Sequence, residues 1–128
     1  MPDEPFIEDA VAIVPVSDMG ETVRFYTEVL GFEKRLFVDD ETFAIVVHGD
    51  AAIHFVKGDA QAVAATATNI SIYLWVKFVD ELYAKLKPLL DELGDGRVRP
   101  PFDQTYGMRE FHVKDPDGCL LFFGEAID

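Results

Sequence analysis

The chain has 128 residues, enough for one domain with its own core. Apolar residues make up 49% and charged residues 27%, which excludes a disordered chain. A net charge of −13 argues against nucleic-acid and anionic membrane partners, which need a basic surface; it serves solubility first and would also attract a cationic ligand.

The opening, MPDEPFIEDA, lacks the basic and apolar regions of a signal peptide. No run reaches the ~20 apolar residues of a membrane span. Cys119, the only cysteine, has no partner for an internal disulfide, so a cytoplasmic location is the expectation. AVAIVPV (Ala10 to Val16) is short and rich in β-branched residues, which predicts a strand. DMGE (Asp18 to Glu21) carries the pattern of a capping box, and Val23, Tyr26, Val29 and Leu30 follow at helical spacing. Gly31 stands where a left-handed cap would end that helix, giving a span of Met19 to Leu30. KRLFVDD, TFAIVVHG and AAIHFVKG then supply three strands separated by Asp39-Asp40 and Gly49-Asp50.

GDAQAVAATATN (Gly58 to Asn69) is small, weakly patterned and unlike its flanks; it reads as the connector between the halves, either irregular or with a short helical piece. After it the order repeats. ISIYLWV (Ile70 to Val76) is a strand, and VDELYAKLKPLLDELG is a helix with Val79, Leu82, Leu86, Leu89 and Leu93 on one stripe. Pro88 predicts a kink or a broken last turn, and Phe78 stands where the first helix has its capping Asp18, so this cap is weaker or comes from elsewhere. RVRPP, MREFHVK and CLLFFGE are the remaining strands, the last two joined by Asp115-Pro116-Asp117-Gly118, a type I turn pattern. The fold class is therefore α+β: two tandem β-α-β-β-β modules, about 7–57 and 70–125, in one domain over 1–128, forming a concave mixed sheet. Two such halves facing each other would enclose a concavity.

VSDMGETVRFYTEVLGF (Val16 to Phe32) and TYGMREFHVKDPDGCLLFFGE (Thr105 to Glu125), with the repeat between them, resemble the glyoxalase, bleomycin-resistance and extradiol-dioxygenase superfamily, also called the vicinal oxygen chelate fold. The resemblance covers the chain from about Glu8 to Glu125. Enzymes of this family hold a divalent metal through four ligand positions, which fall here on Val11, His54, Ser71 and Phe122. A catalytic metal needs about three His or carboxylate ligands, and this set offers one imidazole, so no metal and no cofactor is expected. The resemblance then implies a metal-independent binding protein like the bleomycin-resistance members, which sequester a ligand in grooves at the boundary of a homodimer. The alternative is a glyoxalase-type lyase or isomerase, or a dioxygenase-related enzyme, of unknown substrate.

Strand alternation places Ser71, Tyr73 and Trp75 on one face, and Phe122 with Leu120 on one face of the last strand. Tyr and Trp offer flat apolar area with one polar tip, suited to stacking on an aromatic or cationic ligand; they equally suit packing on a facing strand. His54, among apolar neighbours, is either a hydrogen-bonded core residue or an acid/base group. Tyr106 and Arg109 lie on or beside FDQTYGMRE, read as the lip of the site, with Arg109 gripping an anion or pairing with a surface acid. The candidate ligand-binding residues are thus His54, Tyr73, Trp75, Tyr106, Arg109 and Phe122; no catalytic residue stands out beyond His54. His48 and His112 read as lying near turns or edges.

Overall fold

The computed structural model describes residues 4–127. The first module contains β1 (Ala12–Val16), α1 (Met19–Arg24) continuing into a π-helical turn (Phe25–Val29), β2 (Glu33–Phe37), β3 (Phe43–His48) and β4 (Ala51–Lys57). After α2 (Ala60–Asn69), the second module repeats the order: β5 (Ser71–Trp75), α3 (Val79–Leu90), β6 (Val98–Asp103), β7 (Met108–Lys114) and β8 (Leu120–Ala126). Each module makes one four-stranded sheet, ordered β1-β4-β3-β2 and β5-β8-β7-β6. In each, the first strand pairs parallel to the last and the other pairs are antiparallel. The duplication predicted from the strand and helix order is therefore present. No helix among the described residues is long and apolar enough to cross a membrane.

The first helix starts as its sequence dictates: Asp18 accepts a hydrogen bond from the Glu21 N–H at 2.9 Å, filling one orphan donor. The π-helical turn carries two adjacent buried rings, Phe25 and Tyr26, and Gly31 leaves it at φ +81°. The helix of the second module, α3, is capped from a distance. Phe78 takes a left-handed conformation (φ 62°), and Glu125 on β8 accepts the N–H groups of Phe78 and Val79 at 2.9 and 2.8 Å. A carboxylate at a helix N-terminus also meets the positive end of the helix dipole. The Asp115–Gly118 turn forms as predicted, with the Asp115 carboxylate accepting the N–H groups of Asp117 and Cys119.

Three expectations change. The segment read as a linker is a ten-residue helix, α2, capped by Asp59 through the Ala62 N–H. Helix α3 runs through Pro88 but ends at Leu90, and Leu90, not Leu89, faces the core. The third change concerns the concavity. Inner-face residues of both sheets, such as Val14, Phe55, Phe111 and Phe123, join Tyr26 and Leu86 of the helices in a single core. Tyr26 ties the modules together by donating its buried hydroxyl to Asp115 at 2.9 Å, and Ser17 reaches Asp117 in the same turn. The modules thus share the sides that carry their helices, and the outer sheet faces point away from that core. Ile13 on the first outer face is 62% exposed and Trp75 on the second 75%, so the two faces do not cover each other within one chain.

Candidate functional site

The register fixes what the outer face of the second sheet presents. Tyr73 and His112 both lie opposite Phe122, Trp75 and Glu110 both lie opposite Gly124, and Arg99 lies opposite His112. Phe111, Val113, Leu121 and Phe123 alternate with these and fill the core. The outer face therefore carries a row of rings crossing all four strands. Phe102 meets His112 at 5.1 Å between centroids, His112 meets Phe122 at 4.1 Å, Phe122 stacks on Tyr73 at 5.7 Å, and Tyr73 meets Trp75 at 5.3 Å. Rings packed against one another in this way, from stacked to T-shaped, leave little rotamer freedom to lose on binding.

Under the row sits Glu110, fully buried. Its carboxylate accepts four side-chain hydrogen bonds: from Tyr73 Oη at 2.8 Å, Tyr106 Oη at 2.6 Å, Gln104 Nε2 at 3.1 Å and His112 Nε2 at 2.8 Å. Burial pushes the Glu110 carboxyl pKa up, but the bonds from His112, Tyr106, Gln104 and Tyr73 together outweigh it and hold the group below its ordinary value. The same contacts act in reverse on the phenols. Desolvation and then the Glu110 bond raise Tyr73; for Tyr106 the Glu110 bond comes first. The site at neutral pH is therefore a carboxylate held by two neutral phenols, an amide and an imidazole N–H.

Gly124 makes this cage possible. The Tyr73 phenol crosses β8 above Gly124 to reach Glu110 on β7, and a Cβ at that position would overlap Tyr73 Oη and lie 2.7 Å from Cζ. Only a residue without a side chain lets the phenol through.

The structure brings together Tyr73, Trp75, Phe122 and, through Glu110, Tyr106. It does not bring in Arg109. That residue points to the helix side of the sheet, where its guanidinium bonds Asp80 and Asp103, both at 2.9 Å. His54 lies on the outer face of the first sheet, edge-on to Phe43 at 5.5 Å and opposite Ile13 and Ile45. His112, read from sequence as peripheral, is instead half-buried in the ring row and bonded to Glu110. Glu110 itself was missed. The signal was present in EFHVK: with Phe111 and Val113 directed inward, alternation sends Glu110, His112 and Lys114 outward and Arg109 inward.

Two cavities flank β5. One, of about 370 Å³, is lined by Asp9, Val11, Asp50, Ala52, Ser71 and Tyr73, among others. The other, of about 520 Å³, lies where the modules join, between Leu30, Phe32, His48 and Trp75, Lys77, Leu82.

Residues 9–123 match the family described as Glyoxalase/Bleomycin resistance protein/Dioxygenase superfamily. The chain belongs to this superfamily. A bleomycin resistance protein of Geobacillus stearothermophilus is 27% identical over 135 residues, spanning 92% of this chain and 96% of the relative. A Staphylococcus aureus bleomycin resistance protein matches to the same extent. Among solved structures, the bleomycin-binding protein of bleomycin-producing Streptomyces verticillus, complexed with copper(II)-bleomycin, superposes with a TM-score of 0.79 at 28% identity. The match covers 98% of this chain and all of that one. The glyoxalase-type metal of this superfamily does not fit the donors present. Val11 and Ser71 line one cavity, His54 stands on the other sheet among apolar neighbours, and Phe122 is part of the ring row. Among the described residues no three His, Cys, Asp or Glu side chains converge.

Proposed function

We propose that the protein is a metal-independent small-molecule binder that sequesters an aromatic ligand, such as an antibiotic, by stacking it on the outer face of the second sheet. One observation carries this reading: the ring row from Phe102 to Trp75, locked from below by the four bonds to Glu110 and open to solvent at Trp75. The bleomycin complex of the Streptomyces verticillus relative and the resistance named for the Geobacillus protein support it. A cationic portion of the ligand would find Asp9 and Asp50 in the cavity beside Tyr73. The protein acts as a homodimer, in which uncovered outer faces meet and exclude water from the ligand. Exposed Ile13, Leu36 and Ile70 support a second copy, because apolar surface of this extent is uncommon on a monomer. It resides in the cytoplasm, where its lone buried Cys119 stays reduced.

The test is a titration with metal-free bleomycin, followed through Trp75 as the only tryptophan, with mass spectrometry of the recovered ligand. Saturable quenching with one equivalent of ligand per ring row and an unchanged ligand mass support sequestration. No quenching and no heat of binding contradict bleomycin as the ligand. Conversion of the ligand would favour the glyoxalase-type lyase or isomerase alternative.

A further inference from the structure

We propose that the β6 end of the ring row is an oxyanion subsite, in which Arg99 and Lys114 take a carboxylate, sulfonate or phosphate group carried by the aromatic ligand. The proposal rests on the ring-stacking reading above and adds the chemistry of one end of the ligand. It also departs from what the net charge alone suggests.

The chain has 24 acidic and 11 basic residues, yet by register the outer face of the second sheet carries a single carboxylate, Glu110. That carboxylate is buried and saturated by four donors, one of them His112, so little of its charge is left to repel an anion. Both charged side chains that remain exposed on this face are cationic. The Arg99 guanidinium lies over the Phe102 ring, 3.5 Å from its centroid. Among the described residues no acceptor takes a hydrogen bond from the Arg99 side chain, unlike those of Arg97 and Arg109, so its N–H groups are free for an oxyanion, which a guanidinium binds in bidentate fashion. Lys114 lies two residues beyond His112, the cross-strand partner of Arg99, on the same side of the strand. Diagonal neighbours of this kind are about 7–8 Å apart, a span that two long side chains close around one anionic group. Among the described residues neither Arg99 nor Lys114 belongs to an ion pair, whereas Arg109 and Lys87 do. Among the described residues nine of the eleven Lys and Arg lie outside ion pairs, so what sets Arg99 and Lys114 apart is their place, at the end of a ring row whose face exposes no carboxylate. His112 and Phe122, beside the Phe102 ring that Arg99 covers, would face the aromatic part of the ligand that carries the anionic group.

Calorimetric titrations of the whole chain with three probes of equal ring size test this: naphthalene-2-sulfonate, 2-naphthylmethanol and 2-naphthylmethylammonium. The sulfonate is expected to bind about tenfold more tightly than the alcohol, a charge-assisted hydrogen bond weakened by partial exposure. Arg99→Gln removes that preference while leaving the alcohol within about twofold of its wild-type affinity. Arg99→Lys restores part of it, Lys114→Gln lowers it, and added salt shrinks it. Equal binding of sulfonate and alcohol, or tighter binding of the ammonium, overturns the oxyanion subsite and leaves the ring-stacking reading intact. If none of the three binds, the ring-stacking reading falls and the subsite with it.

Discussion

Replacing Gly124 by alanine tests the geometry of the ring row with a single methyl group. Gly124 is not at positive φ, so alanine is compatible with the backbone and would by itself stabilise the protein by about 0.4–1 kcal/mol through the unfolded chain. The structure reverses that sign. The new Cβ would overlap Tyr73 Oη, lie 2.7 Å from Cζ and 3.1 Å from Glu110 Cγ, so the phenol must leave. Glu110 then loses its 2.8 Å bond from Tyr73, a hydrogen bond to a charged group of about 1.5–3 kcal/mol. Tyr73 also gives up its contacts with Phe122 and Trp75, about 0.5–1.5 kcal/mol each. The net loss is about 2–5 kcal/mol, read as the shift of a urea denaturation midpoint at constant slope. In a Tyr73→Ala background the same substitution should cost nothing and gain up to about 0.4–1 kcal/mol, because the phenol is already gone and only the unfolded-chain effect remains. A Gly124→Ala protein as stable as wild type, or equal losses in both backgrounds, would refute the argument that this glycine exists to let Tyr73 reach Glu110.

Four further outcomes are expected. Glu125→Ala removes the acceptor of the Phe78 and Val79 N–H groups and should destabilise the protein by about 1–2 kcal/mol in urea denaturation, with Glu125→Gln losing less. Burial raises the Asp115 pKa above 3.8, only partly offset by its bonds from Cys119, Tyr26 and Asp117. Its protonated form is the one the fold favours, so its contribution is full below the unfolded value and declines as pH rises through the folded pKa. The stability difference between wild type and Asp115→Asn should therefore fall from pH 3.8 upward. Glu110, held below 4.5, has the opposite sign: its contribution is present above that value and lost as pH falls through the folded pKa, so a Glu110→Gln difference should shrink on acidification. Trp75→Ala should lower stability by no more than the about 0.5–1.5 kcal/mol of its ring contact with Tyr73, given its exposure, and weaken bound aromatic ligands by about 1 kcal/mol or more in calorimetry.

What the sequence revealed, and what it hid, divides by distance along the chain. Asp18 with Glu21, Gly31 and the Asp115–Gly118 turn act on neighbours a few residues away, and each forms as its residues dictate. Alternation in ISIYLWV placed Tyr73 and Trp75 on one face correctly, and the same rule applied to MREFHVK would have exchanged Arg109 for Glu110 and His112. The α2 helix was also open to reading: Asp59 is an N-cap residue before five alanines, the strongest helix formers, in a segment dismissed for its small side chains. Other features lie beyond local pattern. Glu125 caps a helix 46 residues earlier in the chain, and nothing near Phe78 announces it. Leu90, by contrast, was legible: it follows Leu86 by four residues on the same helical stripe as Val79, whereas Leu89 points off that stripe and is exposed. The outward direction of both sheet faces follows from the bonds of Tyr26 to Asp115 and Ser17 to Asp117, across 89 and 100 residues, which dock the modules by their helix sides.

The central claim is that the ring row of the second sheet receives the ligand. Because the chain has one tryptophan, its NMR spectrum should contain one indole Nε1–H resonance, that of Trp75. Addition of bleomycin to the labelled protein should move this resonance together with the backbone amides of Tyr73, Glu110, His112 and Phe122, saturating at a single affinity. Trp75 also lines the cavity between Leu30, Phe32 and His48, so the β7 and β8 amides decide: shifts confined to that cavity, with the Glu110, His112 and Phe122 amides unmoved at saturation, would place the ligand there and contradict the account.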